Sequence, residues 1–147
     1  MIIIFTPEAG VEQQLDAGRL RTSEIQVAER TADMVWADIR QGLQDGNVTA
    51  LRTVAWVLLK RANPSLRYSE FDPYEDELQI KLDRREVQRF ADALAAELRG
   101  KPADLAAAMA ELRDVALDQE HAAKVIEEAV APGPKEADAA SSSTSAD

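Results

Sequence analysis

The stretch of residues 47–62 constrains the fold more than any other, because it is apolar on most sides over the length of one helix. Apolar residues recur at the spacing of one helix face, at Val48, Leu51, Val54, Ala55, Leu58 and Leu59. Trp56 and Val57 add bulk on a second face, and a helix of this kind is normally buried on several sides. We expect it to form the centre of a hydrophobic core.

Both ends of this helix are marked in the sequence. Asn47 can cap the start by accepting a hydrogen bond from a free backbone N–H of the first turn. Lys60 and Arg61 place positive charge in the last turn, where the helix dipole favours it, and Pro64 disfavours a helical conformation at the residue before it. The helix is about 24 Å long at 1.5 Å per residue, and its shortness and Arg52 argue against a membrane span.

Composition excludes several classes of function. The chain has 147 residues with no cysteine and one histidine, which rules out disulfides, thiolate metal sites, cysteine nucleophiles and zinc-binding histidine clusters. The formal net charge of −10 repels nucleic acid and anionic membranes. We expect no cofactor, and we expect a cytoplasmic protein, since the apolar run at Ile2–Phe5 is far too short for a signal peptide.

Upstream of residue 47 the sequence predicts a helical stretch with a break. Ser23 and Gln26 have the spacing of a capping box, and an apolar stripe follows them. Poor helix formers at residues 31–33 predict a kink or break there, and Asp33 could cap a second helix. Gly46 is placed to end that second helix in the left-handed conformation.

Two short segments predict a two-stranded ribbon. Residues 2–5 are a β-branched apolar run, and residues 77–82 alternate apolar and polar side chains, as a half-buried strand does. Residues 8–20 contain Gly10 and Gly18, and we expect a loop there with at most one helical turn. A ribbon of two strands needs helices over one face to be stable.

Three amphipathic helices are predicted after the second strand, at residues 84–99, 103–116 and 118–130. Residues 132–147 contain no large apolar side chain after the two prolines, and we expect them to be disordered and dispensable for folding. The expected fold class is therefore mainly α (α+β). It consists of one compact helical domain over residues 1–131 with a small two-stranded ribbon, followed by a disordered C-terminal tail over residues 132–147.

Three local features follow one another between residues 20 and 72. They are an opening helix with Glu24 and Thr31, the segment Met34-Val-Trp36 with its Asp45-Gly46 stop, and an Ala/Leu-rich helix ending in Lys60-Arg61 and followed by Phe71-Asp72. In this order they resemble the tail assembly chaperones of long-tailed, siphovirus-type bacteriophages, chiefly those infecting actinobacteria. The resemblance covers about a third of the chain. Thr31-Ala32 stands where such proteins often have Thr-Gly, and the pattern beyond Asp83 is not distinctive.

The resemblance implies a non-catalytic role. Such chaperones hold the long helical tape-measure protein in the host cytoplasm until tail-tube protein polymerises around it, and they are absent from the mature virion. Expected partners are the tape-measure protein, the tail-tube protein, a frameshifted longer form of the chain, and further copies in an oligomer. Nucleic acid and membranes are not expected. The alternative is a structural tail or head–tail connector protein retained in the virion.

The candidate partner-binding surface lies on the apolar helix at Trp56, Val57 and Leu59. These side chains exceed what one neighbouring helix can cover, and aromatic anchors dominate interface energetics. An amphipathic segment of the tape-measure protein would place its apolar stripe in such a groove. Simple burial under the C-terminal helices accounts equally well for the same side chains.

Other clusters are expected to be structural, and we expect no enzyme. The acidic run at residues 72–77 lacks the central glycine and the ligand order of a calcium loop. His121 has no nucleophile or orienting partner in the sequence pattern, so we expect a solvated side chain. Arg84, Arg85 and Arg89 form a basic helix face without the aromatic residues of a nucleic-acid site, and we expect them to pair with neighbouring acids.

Overall fold

The computed structural model describes residues 1–131 and confirms the expected class, a mainly helical chain with a small antiparallel sheet. The chain divides into two compact units, and the division falls between Asp83 and Arg84. The expected domain over residues 1–131 contains the described parts of both units. The predicted disorder of residues 132–147 lies outside the described residues.

The first unit consists of a three-stranded sheet and three helices. Its strands are β1 (Ile2–Phe5), β2 (Gln13–Asp16) and β3 (Leu78–Lys81), and its helices are α1 (Thr22–Ala32), α2 (Trp36–Asp45) and α3 (Val48–Leu59). Two 3-10 turns, Tyr68–Glu70 and Glu75–Glu77, lie between α3 and β3.

The sheet has the order β2-β1-β3, and both pairs are antiparallel. The predicted pairing of β1 with β3 is confirmed, with buried Ile3 opposite Ile80. The predicted two-stranded ribbon is wrong, because β2 pairs along the other edge of β1 and places Leu15 opposite Ile3. Strand β2 is largely exposed, and it forms because β1 offers a free edge rather than because its own residues favour strands.

Helix α3 is the centre of the first unit, as its apolar pattern predicts. Eight of its twelve residues are buried, and α1, α2 and the sheet all pack against it. The predicted cap is confirmed, since Asn47 Oδ1 accepts a hydrogen bond from the Ala50 N–H at 3.0 Å. The helix ends at Leu59, so Lys60 and Arg61 follow it instead of lying in its last turn.

A close approach joins α2 to α3. Gly46 has φ 72° and ends α2 in the left-handed conformation, as predicted. Gly42 faces the start of α3, and a Cβ added there would lie 3.0 Å from the Ala50 Cβ. The absence of a side chain at Gly42 therefore lets the two helices pack closely at this corner.

The predicted break after α1 is confirmed, but its capping residues differ. Asp33 has φ 52° and closes α1 in the left-handed conformation, while Val35 is the N-cap of α2. Asp33 therefore ends one helix and does not begin the next. The carboxylate of Glu29 accepts the backbone N–H of Trp36 at 2.8 Å and satisfies a free donor at the start of α2.

The start of α1 also differs from its prediction. The helix begins at Thr22, and Glu24 Oε2 accepts the N–H of Arg21 at 2.7 Å. The predicted capping box of Ser23 and Gln26 is therefore wrong by two residues, because the N-cap is Arg21 and the reciprocal residue is Glu24. The Glu24 carboxylate thus satisfies the backbone N–H of the N-cap residue, and a negative charge in the first turn interacts favourably with the helix dipole.

The second unit contains three helices in its described part: α4 (Arg84–Glu97), α5 (Pro102–Val115) and α6 (Gln119–Val130). Each packs on the other two around a core of Val87, Ala91, Met109, Leu112, Ala122 and Val125. Asp118 caps α6 as predicted, with its Oδ1 accepting the His121 N–H at 2.9 Å. No helix within residues 1–131 is both long enough and apolar enough to cross a membrane.

Candidate functional site

The three residues predicted to bind a partner do not share one environment. Trp56 is 6% exposed and Val57 is 4% exposed, and both belong to the core of the first unit. Leu59 is half-buried and packs against the same core. Of the three, Leu59 therefore offers the most side-chain surface, and a binding role for this face stays a prediction.

The indole of Trp56 is covered by the loop of residues 63–71. Its Nε1–H donates to the carbonyl of Leu66 at 3.0 Å, which satisfies the one polar atom of a buried tryptophan. The ring of Tyr68 meets the indole edge-on with centroids 5.3 Å apart. The Lys60 ammonium lies over the indole, 4.6 Å from its centroid, and its charge there favours contact with the ring face.

Arg52 fixes the same loop onto α3. Its Nε donates to the Phe71 carbonyl at 2.7 Å, and its terminal nitrogen donates to the Tyr68 carbonyl at 3.0 Å. The guanidinium also lies 4.2 Å from the centre of the Tyr68 ring. The sequence pattern places Arg52 on the polar side of the apolar helix and predicts that its side chain reaches water. In the structure, Arg52 instead holds the backbone of the loop through two carbonyl groups. In the sequence, only the aromatic residues of the loop indicate that it packs over α3.

Phe71 completes the attachment of the loop to the sheet. Its side chain is buried, and its ring meets Phe5 of β1 edge-on at 5.4 Å. Tyr74 behaves differently, since it is 68% exposed. Aromatic residues in the polar segment 64–76 predict that Tyr68, Phe71 and Tyr74 all anchor this loop to the core, and that prediction is wrong at Tyr74.

A partly exposed ion pair joins the end of α3 to the start of α1. Arg61 Nε lies 2.7 Å from Glu24 Oε1, and its terminal nitrogen donates to the Arg19 carbonyl at 2.8 Å. The hydrogen bond from Arg61 lowers the pKa of Glu24 below its ordinary value, and the same bond raises the pKa of Arg61. This pair lies beside the α3 terminus and gives it a fixed position relative to α1.

The second unit carries an open basic groove, which we define by Arg84, Arg85, Arg89 and His121. It has a volume of about 530 Å³, and Gln88 and Asp92 also line it.

The arginines of this basic groove differ in how they are held. Arg84 Nε donates to Asp118 Oδ2 at 2.8 Å, a partner 34 residues away that helical spacing could not reveal. The backbone N–H of His121, and next the Arg84 guanidinium, lower the pKa of Asp118. Arg85 and Arg89 have no carboxylate partner within residues 1–131, although Arg89 lies 5.4 Å from the Phe90 ring centroid. The predicted pairing with the neighbouring acids Asp83, Glu86 or Asp92 is therefore wrong for Arg84, whose partner is the distant Asp118.

His121 is held by backbone. Its ring Nε2 lies 3.3 Å from the Arg84 carbonyl oxygen, and the side chain is half-buried. The prediction of a fully solvated histidine is therefore wrong in part. No cluster of three or more histidine and acidic side chains in the described part of the chain is arranged to hold a metal ion.

The acidic run at residues 72–77 divides into an anchored and an exposed part. Glu77 Oε1 accepts the Glu8 N–H at 2.6 Å and its Oε2 accepts the Tyr74 N–H at 2.7 Å. Glu75 and Asp76 are exposed beside the exposed Tyr74. We call Tyr74, Glu75 and Asp76 the acidic turn.

Comparison with known proteins gives no relative. No protein family, no curated protein and no solved structure matches this chain.

Proposed function

We propose that this protein is a tail assembly chaperone of a long-tailed bacteriophage. In that role it binds the tape-measure protein in the host cytoplasm, assists tail-tube assembly without catalysis, and leaves before the virion is complete. The proposal rests on the resemblance of residues 20–72 to that family.

One structural observation supports the proposal. The three segments that carry the resemblance lie in α1, α2 and α3, and their apolar residues Ala28, Ile39 and Val54 belong to one core. A resemblance spread over three helices is more informative when those helices form a single unit, because their order and spacing then serve one packing arrangement.

The client-binding surface follows from the exposure of α3. A helical client lays an apolar stripe into a groove, and Leu59 is the predicted contact that keeps accessible surface while the loop of residues 63–71 is in place. Trp56 would reach a client only after that loop moves. We therefore place the first contact at Leu59 and assign Trp56 and Val57 to its support.

The decisive experiment is co-expression with the tape-measure protein of the same phage, which the proposal expects to be a long, repetitive, helical protein encoded beside this gene. We expect an affinity tag on the chaperone to recover the tape-measure protein, and we expect mass spectrometry of purified virions to detect no chaperone. Several copies per client chain with modest individual affinity are expected, since linked weak sites multiply avidity yet release one at a time.

Leu59→Asn is the variant that tests the surface, with Val48→Asn as its control. Val48 is an exposed apolar residue at the opposite end of the same helix. Recovery of the client should fall for Leu59→Asn and stay at the wild-type level for Val48→Asn, with both melting curves recorded. Equal recovery by both variants would show that this face is not the client site. If the wild type fails to bind the client and is present in virions, the protein is a structural tail or head–tail connector component instead.

A further inference from the structure

Two exposed surfaces of opposite charge are left without ion-pair partners among residues 1–131. The acidic turn lies on the first unit and the basic groove lies on the second. Within residues 1–131, Glu75 and Asp76 take part in no ion pair, and Arg85 and Arg89 meet no carboxylate. Unpaired charges of both signs on one acidic protein raise the question of what each surface binds.

The acidic turn is held in a fixed shape by bonds that leave its side chains free. The Glu77 carbonyl accepts the Thr6 N–H at 2.9 Å, and the Glu77 N–H donates to the Tyr74 carbonyl at 3.1 Å. With the two carboxylate bonds of Glu77 described above, the backbone of the turn is tied to β1 and to the segment after it. Tyr74, Glu75 and Asp76 are therefore presented to solvent by a rigid support, which lowers the entropy lost on binding.

The basic groove presents a matching pattern. Arg85 and Arg89 are four residues apart on α4, so their side chains are neighbours about 6 Å apart on one face. Arg84 is engaged by Asp118 and contributes little free charge. Phe90 is 39% exposed, and its ring centroid lies 5.4 Å from the Arg89 guanidinium, so an apolar ring is available beside that charge.

We propose that the acidic turn of one copy of this chain binds in the basic groove of a second copy. Glu75 and Asp76 would accept hydrogen bonds from Arg85 and Arg89, which can bind carboxylates through two parallel N–H groups. The Tyr74 ring would contact the face of a guanidinium or the exposed edge of Phe90. A peptide partner is favoured over nucleic acid, because the net charge of −10 and Asp92 in the groove repel a polyanion.

This contact joins two different surfaces, so it is a head-to-tail interface. Each pair keeps one free turn and one free groove, one on each copy, and such contacts continue into rings or open chains. Self-association through these surfaces requires neither a client nor the chaperone role, so either can fail without the other. Exposed ion pairs are individually weak and are screened by salt, so the association should be concentration-dependent and should weaken as salt is added.

The first test is sedimentation of the full chain over a wide range of protein concentration. We expect species larger than the monomer at about 0.1 M salt and their dissociation at about 1 M, where the screening length falls from about 10 Å to about 3 Å. A chain that stays monomeric at every concentration in low salt overturns the proposal. The proposal is also overturned if a labelled oligonucleotide binds the monomer and this binding is lost when Arg85 and Arg89 are substituted.

Charge reversal on each surface makes the test specific. The groove variant Arg85→Glu/Arg89→Glu and the turn variant Glu75→Arg/Asp76→Arg should each lower the association constant about tenfold or more, because like charges then face each other. Matched reversals at exposed sites outside both surfaces, Arg99→Glu/Lys101→Glu and Glu127→Arg/Glu128→Arg, should leave it within about twofold. Equal effects from the test and control pairs overturn the proposal.

Mixing the two test variants decides the geometry. The turn variant keeps a wild-type groove and the groove variant keeps a wild-type turn, so a one-to-one mixture should associate where neither variant does so alone. The two reversed surfaces are again opposite in charge and should extend these pairs. The variant carrying all four reversals should associate again, because both surfaces have exchanged sign. A mixture that stays monomeric overturns the proposal. Melting curves check folding, and Arg85→Gln/Arg89→Gln replaces the groove variant if the reversal lowers its melting temperature.

Discussion

Leu58 is the residue at which a charge should do the most damage. It is buried on the α3 face that packs into the core, and an unpaired carboxylate there costs several kcal/mol against a total stability of about 5–15 kcal/mol. We expect Leu58→Asp to unfold the first unit. Circular dichroism during heating measures this.

The control for Leu58→Asp is Val48→Asp on the same helix. Val48 is 53% exposed at the first helical position, where a negative charge interacts favourably with the helix dipole. This variant should melt at or slightly above the wild-type temperature. If Leu58→Asp melts at the same temperature as Val48→Asp, Leu58 lies outside the core.

Glu24 should make stability depend on pH. Arg61 holds the pKa of Glu24 below its ordinary value, so the ionised carboxylate stabilises the fold above that ordinary value. This stabilisation is lost as the pH falls through the lowered pKa of the folded state. We expect Glu24→Gln to be destabilising at neutral pH, and its deficit against wild type should shrink as the pH falls below about 4. Urea unfolding at a series of pH values measures this.

An exposed acid provides the comparison for Glu24. Glu12→Gln removes a carboxylate that makes no ion pair within the described residues, and its effect should stay small at every pH. If the Glu24→Gln deficit is the same at acid and neutral pH, the Arg61 bond contributes nothing to the charged state.

Single residues also show where sequence reasoning reaches its limit. The cap at Asn47 was predictable, because its partner N–H lies three residues away and the motif is local. The clamp at Arg52 and the partner of Arg84 were not, since their acceptors lie 16 to 19 and 34 residues away. Contacts of that range depend on the path of the whole chain, which local patterns do not encode.

At the scale of elements, the loop of residues 63–71 should depend on Trp56. Trp56→Leu removes the bond to the Leu66 carbonyl and the edge contact with Tyr68. We expect a loss of about 2 kcal/mol or more in the free energy of unfolding, together with faster tryptic cleavage after the exposed Arg67. Urea unfolding and timed proteolysis measure the two effects.

Tyr74→Leu is the control for Trp56→Leu, because it replaces an aromatic residue in the segment that joins α3 to β3. Tyr74 is exposed, so its replacement should alter neither the unfolding free energy nor the cleavage rate after Arg67. Unchanged cleavage in Trp56→Leu would mean that Arg52 and Phe71 hold the loop in place without Trp56.

An element could be predicted when its own residues carry a regular apolar pattern. Helix α3 and strands β1 and β3 carry such a pattern, and the structure has all three. Strand β2 carries one apolar residue, Leu15, among polar neighbours, and only its pairing with β1 defines it. The burial of Trp56 was left open for a related reason, because periodicity shows that a face is apolar but not what covers it.

At the scale of the whole molecule, the first unit should fold without the second. All three strands and the core around α3 lie within Met1–Asp83. We expect a fragment of residues 1–83 to melt cooperatively, and a fragment of residues 1–77 to remain unfolded because it lacks β3. Circular dichroism and the dispersion of proton NMR shifts measure this. An unfolded 1–83 fragment would mean that the core of the first unit is insufficient by itself.

The pairing of β1 with β3 also bears on synthesis at the ribosome. Strand β1 is made first, yet it lies in the middle of the sheet between β2 and the much later β3. At about 5–20 residues per second, roughly 4–15 s separate the emergence of the two strands. A lone hairpin of β1 and β2 is only marginally stable. The nascent chain therefore carries the β3-facing edge of β1 unpaired until translation passes residue 81, and slower decoding of the α3 codons would prolong that exposure.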